Sequence, residues 1–152
     1  LLEAREKPRR LVLTVQREVA TRITAHPDDM SLLALSVQVY GKPVIAARIP
    51  AGAFYPPPKV DSSVVRVDLY PEPLIPSDAL DAFFRLAKAG FGQKRKTLRN
   101  ALAAGLNWPG QQAADLLQTA GIDPMRRAET LELDEWERLT RLFLAQAGKS
   151  AP

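Results

Sequence analysis

Leu11-Val12-Leu13-Thr14-Val15 is apolar or β-branched at every position, the pattern of a strand buried on both faces of a parallel sheet. Behind it, Gln16 to Thr24 carries Val19, Ala20 and Ile23 at helical spacing and stops before His26-Pro27. Strand followed by helix reads as one unit of an α/β layer. Ser31 precedes a run in which Leu32, Leu35, Val39 and Tyr40 share a helix face. Gly41 offers a C-terminal cap there. The alternation around Val37 and Val39 also fits a strand, but helix is favoured.

Val44–Ile49 and Ser63–Leu69 are two further strand candidates. The loop between them, residues 50–61, holds Pro56-Pro57-Pro58, which removes three backbone donors and fixes φ, so it is extended and stiff. Pro71-Glu72-Pro73 and Ile75-Pro76 form a proline-rich joint, after which the periodicity changes. Ser77 is placed to cap a helix in which Leu80, Phe83, Phe84, Ala87 and Phe91 recur at three- and four-residue steps. Helices are expected from Arg95 to about Gly105, from Gln111 to Ala120, and from Asp134, as cap, to Gln146, with no confident strand beyond residue 76. The expected architecture is α/β over residues 1–72, followed by a small all-α domain over 73–152.

Composition narrows the chemistry. The 152 residues include no cysteine, which excludes disulfides, thiolate metal sites and a cysteine nucleophile. A single histidine, His26, argues against a multi-histidine metal site, and it reads as a loop or helix-end residue. No apolar run approaches the roughly 20 residues that span a bilayer, and the first residues do not read as a signal peptide. A cytoplasmic protein with no membrane and no metal is expected. The chain opens without methionine on Leu1-Leu2-Glu3-Ala4-Arg5, which looks like the last turn of a helix, so a piece of a longer protein is expected.

The net charge of +4 conceals a local concentration. Between Asp81 and Asp115 there is no acidic residue, while Arg85, Lys88, Lys94, Arg95, Lys96 and Arg99 supply six positive charges. On the expected helix, Arg95 and Arg99 lie one turn apart and can face one phosphate track, with Arg126 and Arg127 adding to it. A solvated helix face is the plainer reading, weakened because surface helices usually mix signs. The loop Phe54-Tyr55-Pro56-Pro57-Pro58-Lys59-Val60-Asp61-Ser62 also admits two readings. One is a hairpin or crossover loop with a buried aromatic. The other is a rigid platform on which Phe54 or Tyr55 stacks a nucleobase, with Lys59 near the backbone.

Four ordered blocks resemble the KsgA (RsmA) ribosomal RNA adenine dimethyltransferase family. They are Leu13-Thr14-Val15-Gln16-Arg17-Glu18-Val19-Ala20, Leu35-Ser36-Val37-Gln38-Val39-Tyr40, Phe54 to Val65, and Lys94-Arg95-Lys96-Thr97-Leu98-Arg99-Asn100. Gly121-Ile122-Asp123-Pro124 with Arg127-Ala128-Glu129 and Leu131 is similar to the family's C-terminal block. The resemblance implies a Rossmann-like methyltransferase domain followed by a helical domain. It also implies transfer of methyl groups from S-adenosylmethionine to N6 of two adjacent adenines in the 3′-terminal hairpin of 16S rRNA, with the small ribosomal subunit as partner. Phe54 matches the aromatic thought to stack on the extruded adenine, since enzymes that modify a base take it out of the helix. Lys94, Arg95, Lys96 and Arg99 match the block implicated in gripping the subunit.

Two parts of the family pattern are missing. There is no Gly-rich loop after a strand, Gly90-Phe91-Gly92 being in a helical context. There is also no Asn-[Leu/Ile]-Pro-Tyr block to position the adenine amino group, whose delocalised lone pair makes it a poor nucleophile. In the family's order that block falls just upstream of Leu1. S-adenosylmethionine is therefore expected to be bound by a missing N-terminal part, and this chain alone is expected to be inactive. The alternatives are an Erm-type large-subunit rRNA methyltransferase, which shares the Phe-x-Pro-x-Pro-Lys-Val loop, a stand-alone helical nucleic-acid-binding module, and a helix-turn-helix DNA reader.

Overall fold

The computed structural model describes residues 2–150, and side chains up to residue 147. It divides into two compact units. The first joins the chain up to His26 with Leu33–Leu74. The second joins Pro27–Leu32 with the chain from Ile75 onward, so residues 27–32, expected with the α/β part, pack elsewhere. Their link is backbone pairing: Asp28 and Met30 both donate N–H bonds to the Glu129 carbonyl, at 3.0 and 3.3 Å.

In the first unit, β1 (Arg10–Gln16) leads into α1 (Arg17–Ile23), α2 (Leu32–Gln38) precedes β2 (Gly41–Ile49), and β3 (Ser62–Leu69) follows the proline loop. The sheet is three-stranded in the order β1-β3-β2, and both pairings are antiparallel. This corrects the expectation of a parallel sheet around Leu11–Val15. An apolar run signals two-sided burial, which parallel strands commonly have, but it carries no information about the direction of the partner. Two-sided burial is not seen either. Leu11 and Val15 pack with Val65, Val67, Ala20 and Ile23, whereas Val12, on the opposite face, is 62% exposed. At the end of β1, Arg10 Nε donates to Asp68 at 2.6 Å, and with Arg66 also beside it the Asp68 carboxyl is held below the usual aspartate range.

Gly41 is not a helix cap but the first residue of β2, opposite Leu69. A Cβ there would lie 2.7 Å from the Asp68 carbonyl oxygen, so the two backbones approach closer than any other residue allows. Pro43 sits within β2, an edge strand of this sheet, where a missing N–H is tolerated.

In the second unit, the described elements after Leu69 are α3 (Leu80–Phe91), α4 (Leu98–Leu106), α5 (Gly110–Thr119) and α6 (Leu133–Ser150), with short 3-10 turns before α3 and before α6. Trp136 of α6 is fully buried against α3, with Phe83 edge-on at 6.5 Å and Phe91 stacked at 5.8 Å. Gly105 lets α4 press against α3, because a Cβ there would fall 2.5 Å from that of Ala89.

Three helix starts differ from expectation. Ser77 lies in a 3-10 turn, Ser77–Ala79, and makes no capping bond to α3. Asp134 lies inside the first turn of α6, where its charge faces the helix N-terminus, and the Glu135 carboxylate accepts from the Glu132 N–H instead. Helix α4 begins at Leu98 rather than Arg95, because Thr97 Oγ1 accepts from the Asn100 N–H at 3.3 Å and fixes the cap.

Candidate nucleic-acid interface

The proline loop is the connection of the β2–β3 hairpin, closed by the pair Ile49 and Ser62. Asp61 holds both ends of it. Its Oδ1 accepts from the Ala51 N–H at 3.0 Å, and its carbonyl accepts from the Arg17 N–H at 3.0 Å, tying the loop to the first turn of α1. Between these ties a 3-10 turn, Ala51–Ala53, delivers Phe54, whose N–H donates to the Ala51 carbonyl. The Tyr55–Pro56 peptide bond is cis. Phe54 is 38% exposed, Tyr55 is completely exposed, and Lys59 is exposed. Of the two aromatics, Phe54 alone is partly held by the protein, leaving ring surface for a flat partner. Asp61 escaped the sequence reading. An acid one residue before a strand, at the end of a proline run, was the available signal.

In the second unit, Lys94, Arg95 and Lys96 occupy the turn between α3 and α4, where the Lys96 N–H donates to the Gln93 carbonyl. All three are exposed, and so is Arg127. Among the described residues, none of these four takes part in an ion pair. Arg95 and Arg99 do not share a helix face, because only Arg99 is helical. Arg99 is half-buried and its Nε donates to the Gly110 carbonyl at 3.2 Å, binding the start of α5 to α4. Its backbone N–H donates to the Pro124 carbonyl.

Arg126 is likewise occupied within the fold. Its guanidinium contacts Glu135 at 2.6 and 3.1 Å and also donates to the Thr130 carbonyl at 2.7 Å. These bonds direct the guanidinium of Arg126, expected to add to the phosphate-facing cluster, into the fold. Burial pushes the Glu135 carboxyl up, but the bonds from Arg126 and from the Glu132 N–H outweigh it and hold it below the usual glutamate range. A depressed value means stability present above the unfolded-state value and lost as pH falls through the folded one. Glu135→Gln is therefore expected to cost about 1.5 to 3 kcal/mol near neutrality, with the gap from wild type closing on acidification below the glutamate range. Urea unfolding at a series of pH values checks this, and a gap independent of pH would contradict it.

Among the described residues of the first unit, the strand-to-helix junction does not form a glycine-rich cradle. The direct strand-to-helix junction, Gln16-Arg17, contains no glycine, and its first helical N–H is already bonded to Asp61. In this unit the close-contact glycine, Gly41, is packed against β3 rather than open to a ligand. These residues do not fit S-adenosylmethionine. Among the described residues no group of three or more His, Asp or Glu could hold a metal ion, and no helix is long and apolar enough to cross a membrane.

The chain is similar to known proteins along most of its length. A family profile described as "Ribosomal RNA adenine dimethylase" matches residues 1–147. A "Ribosomal RNA small subunit methyltransferase A" from Dehalococcoides mccartyi is 50% identical over 143 residues, which is 93% of this chain and 49% of that protein. One of the same name from Pelotomaculum thermopropionicum is 45% identical, over 91% of this chain and 48% of that protein. The chain spans about half the length of the curated relatives it matches. Among solved structures, a dimethyladenosine transferase from Plasmodium falciparum superposes with a TM-score of 0.81 at 24% identity, over 96% of this chain and 61% of that one. The 23S rRNA methyltransferase ErmE gives 0.66 at 22%, over 93% and 57%. Both structures show a shared fold.

Proposed function

Because this chain belongs to the ribosomal RNA adenine dimethylase family, we propose that it is the substrate-holding part of an S-adenosylmethionine-dependent enzyme that dimethylates N6 of two adjacent adenines in the 3′-terminal hairpin of 16S rRNA. Phe54 stacks on the extruded adenine, and Lys59 lies beside its backbone. Lys94, Arg95, Lys96 and Arg127, in the helical part over residues 73–152, contact phosphates of the small subunit, while Arg99 and Arg126 hold the surface that carries them. The reaction belongs to the cytoplasm, where ribosomal subunits mature. The observation that carries this reading is the half-exposed Phe54 on a loop tied at both ends by Asp61.

The names of the relatives support a small-subunit target over an Erm-type large-subunit one, since the likeness to ErmE is one of fold. The family match runs through both units, which disfavours a stand-alone helical module. The cofactor is bound by a part of the enzyme outside these residues, so this chain alone is inactive. Mass spectrometry of small-subunit rRNA, incubated with S-adenosylmethionine and either this chain or an enzyme of the relatives' full length, tests it. Two dimethyladenines are expected with the longer enzyme and none with the chain. Methylation by the chain, or a saturable heat with S-adenosylmethionine in calorimetry, would overturn the assignment.

A further inference from the structure

The exposed side of α3 is a second cationic surface. Asp81, Arg85, Lys88 and Gly92 are exposed and recur at steps of four, three and four residues, so they share one helical face. Past the first turn that face is purely basic. Arg85 does not turn back to Asp81. Its guanidinium carbon lies 5.7 Å from the centre of the Phe143 ring, and Phe143 is buried with Trp108 packed against it at 5.7 Å and 36°. The close approach of α4 to α3 at Gly105 brings the chain leaving α4 to this place.

A guanidinium carbon held over a ring makes a cation–π contact that consumes none of its N–H donors. An arginine held in this way loses less freedom when it meets a phosphate. Lys88 stands one turn further on, towards Lys94, Arg95 and Lys96. Among the described residues, neither Arg85 nor Lys88 has an ion-pair partner. A solvated structural helix would be expected to intersperse carboxylates here, but the sequence has none from residue 82 to residue 114.

We propose that Arg85, fixed on Phe143, and Lys88 form a phosphate-backbone contact that extends the Lys94–Lys96 turn along α3, so that RNA lies along the helix rather than touching the turn alone. The contact rests on the reading of this chain as rRNA-binding, and its test separates the two. The probe is the 3′-terminal hairpin of small-subunit rRNA, titrated with the 152-residue chain between 50 and 200 mM salt. Arg85→Gln/Lys88→Gln is expected to make the slope of log affinity against log salt shallower by about 1.4 to 1.8, at about 0.7 to 0.9 per lost contact. Lys88→Gln alone, which leaves the stack on Phe143 untouched, gives about half that change. Arg85→Lys, which keeps the charge but not the planar fork, weakens binding with little change of slope. Lys42→Gln, on β2, changes neither.

Wild-type slopes in the α3 variants, with a loss only in Lys94→Gln/Arg95→Gln/Lys96→Gln, would overturn the α3 contact and leave the rRNA reading standing. No change in either set would overturn both. Binding to phosphatidylserine vesicles that depends on Arg85 and Lys88, with an unchanged RNA slope, would also overturn the contact, in favour of an anionic membrane.

Discussion

Phe54→Ala, made in an enzyme of the relatives' full length, is expected to lower adenine dimethylation roughly 5- to 140-fold while small-subunit affinity changes less than about twofold. The magnitude comes from base stacking on an aromatic ring, worth about 1 to 3 kcal/mol, with 1.4 kcal/mol per factor of ten. The asymmetry comes from position. Phe54 is one ring at the tip of a hairpin loop, whereas affinity for the subunit is spread over many phosphate contacts. Loss of the ring should leave the loop closed, because Asp61 accepts from the Ala51 and Arg17 N–H groups and the bond of Phe54 to the Ala51 carbonyl is made by its main chain. Phe54→Trp should restore much of the activity. Asp61→Ala should lower methylation while leaving an intact Phe54, since the platform rather than the ring is lost. Single-turnover methylation alongside subunit pelleting separates these results, and equal losses in activity and binding for Phe54→Ala would assign the ring a structural role.

The second large effect concerns the α3–α4 turn. Lys94→Gln/Arg95→Gln/Lys96→Gln is expected to weaken rRNA binding and flatten its salt dependence by about 2.1 to 2.7, at about 0.7 to 0.9 per phosphate contact. The thermal melt should stay within about a degree or two of wild type, as surface substitutions away from structural contacts shift stability little. Arg99→Gln should do the opposite. Its guanidinium is bonded to the Gly110 carbonyl and packed where a Gly110 side chain would sit, so its loss lowers the melting temperature and changes the salt slope little. The contrast divides a basic block that looks uniform in sequence into residues that face outward and one that faces inward. If Arg99→Gln flattened the slope as much as one of the turn residues does, that division would fail.

Much of the fold is legible in the sequence. The helical repeat of Leu80, Phe83, Phe84, Ala87 and Phe91 marks a real stripe of α3, with Phe83 and Ala87 buried and the other three half-buried. The strand expected over Ser63–Leu69 is β3, which has Val65 and Val67 on its covered face. Strand partnership was not legible. Leu11–Val15 carries the composition of a doubly buried strand, but nothing within five residues encodes that its neighbour is β3 and runs the opposite way.

Helix starts were missed for a related reason. Lys94-Arg95-Lys96 are good helix formers, so the pattern extends the helix backwards until a local competitor stops it. That competitor is the Thr97 hydroxyl. In the candidate site, charge was legible and its availability was not. Arg99 and Arg126 are as basic as Arg95 and Arg127, but Gly110 and Glu135, 11 and 9 residues away, claim their donors. Phe54 stood out because its block carries the family resemblance, whereas Asp61, which positions it, carries an ordinary turn-ending side chain.

In the proposed function, these 152 residues hold ribosomal RNA without performing the chemistry themselves. Titrating the chain alone with the 3′-terminal hairpin of small-subunit rRNA, with and without S-adenosylmethionine, across 50 to 200 mM salt, tests it most directly. Binding that falls steeply with salt and ignores S-adenosylmethionine is the expected result. Binding that ignores salt, or that tightens when S-adenosylmethionine is added, would contradict it.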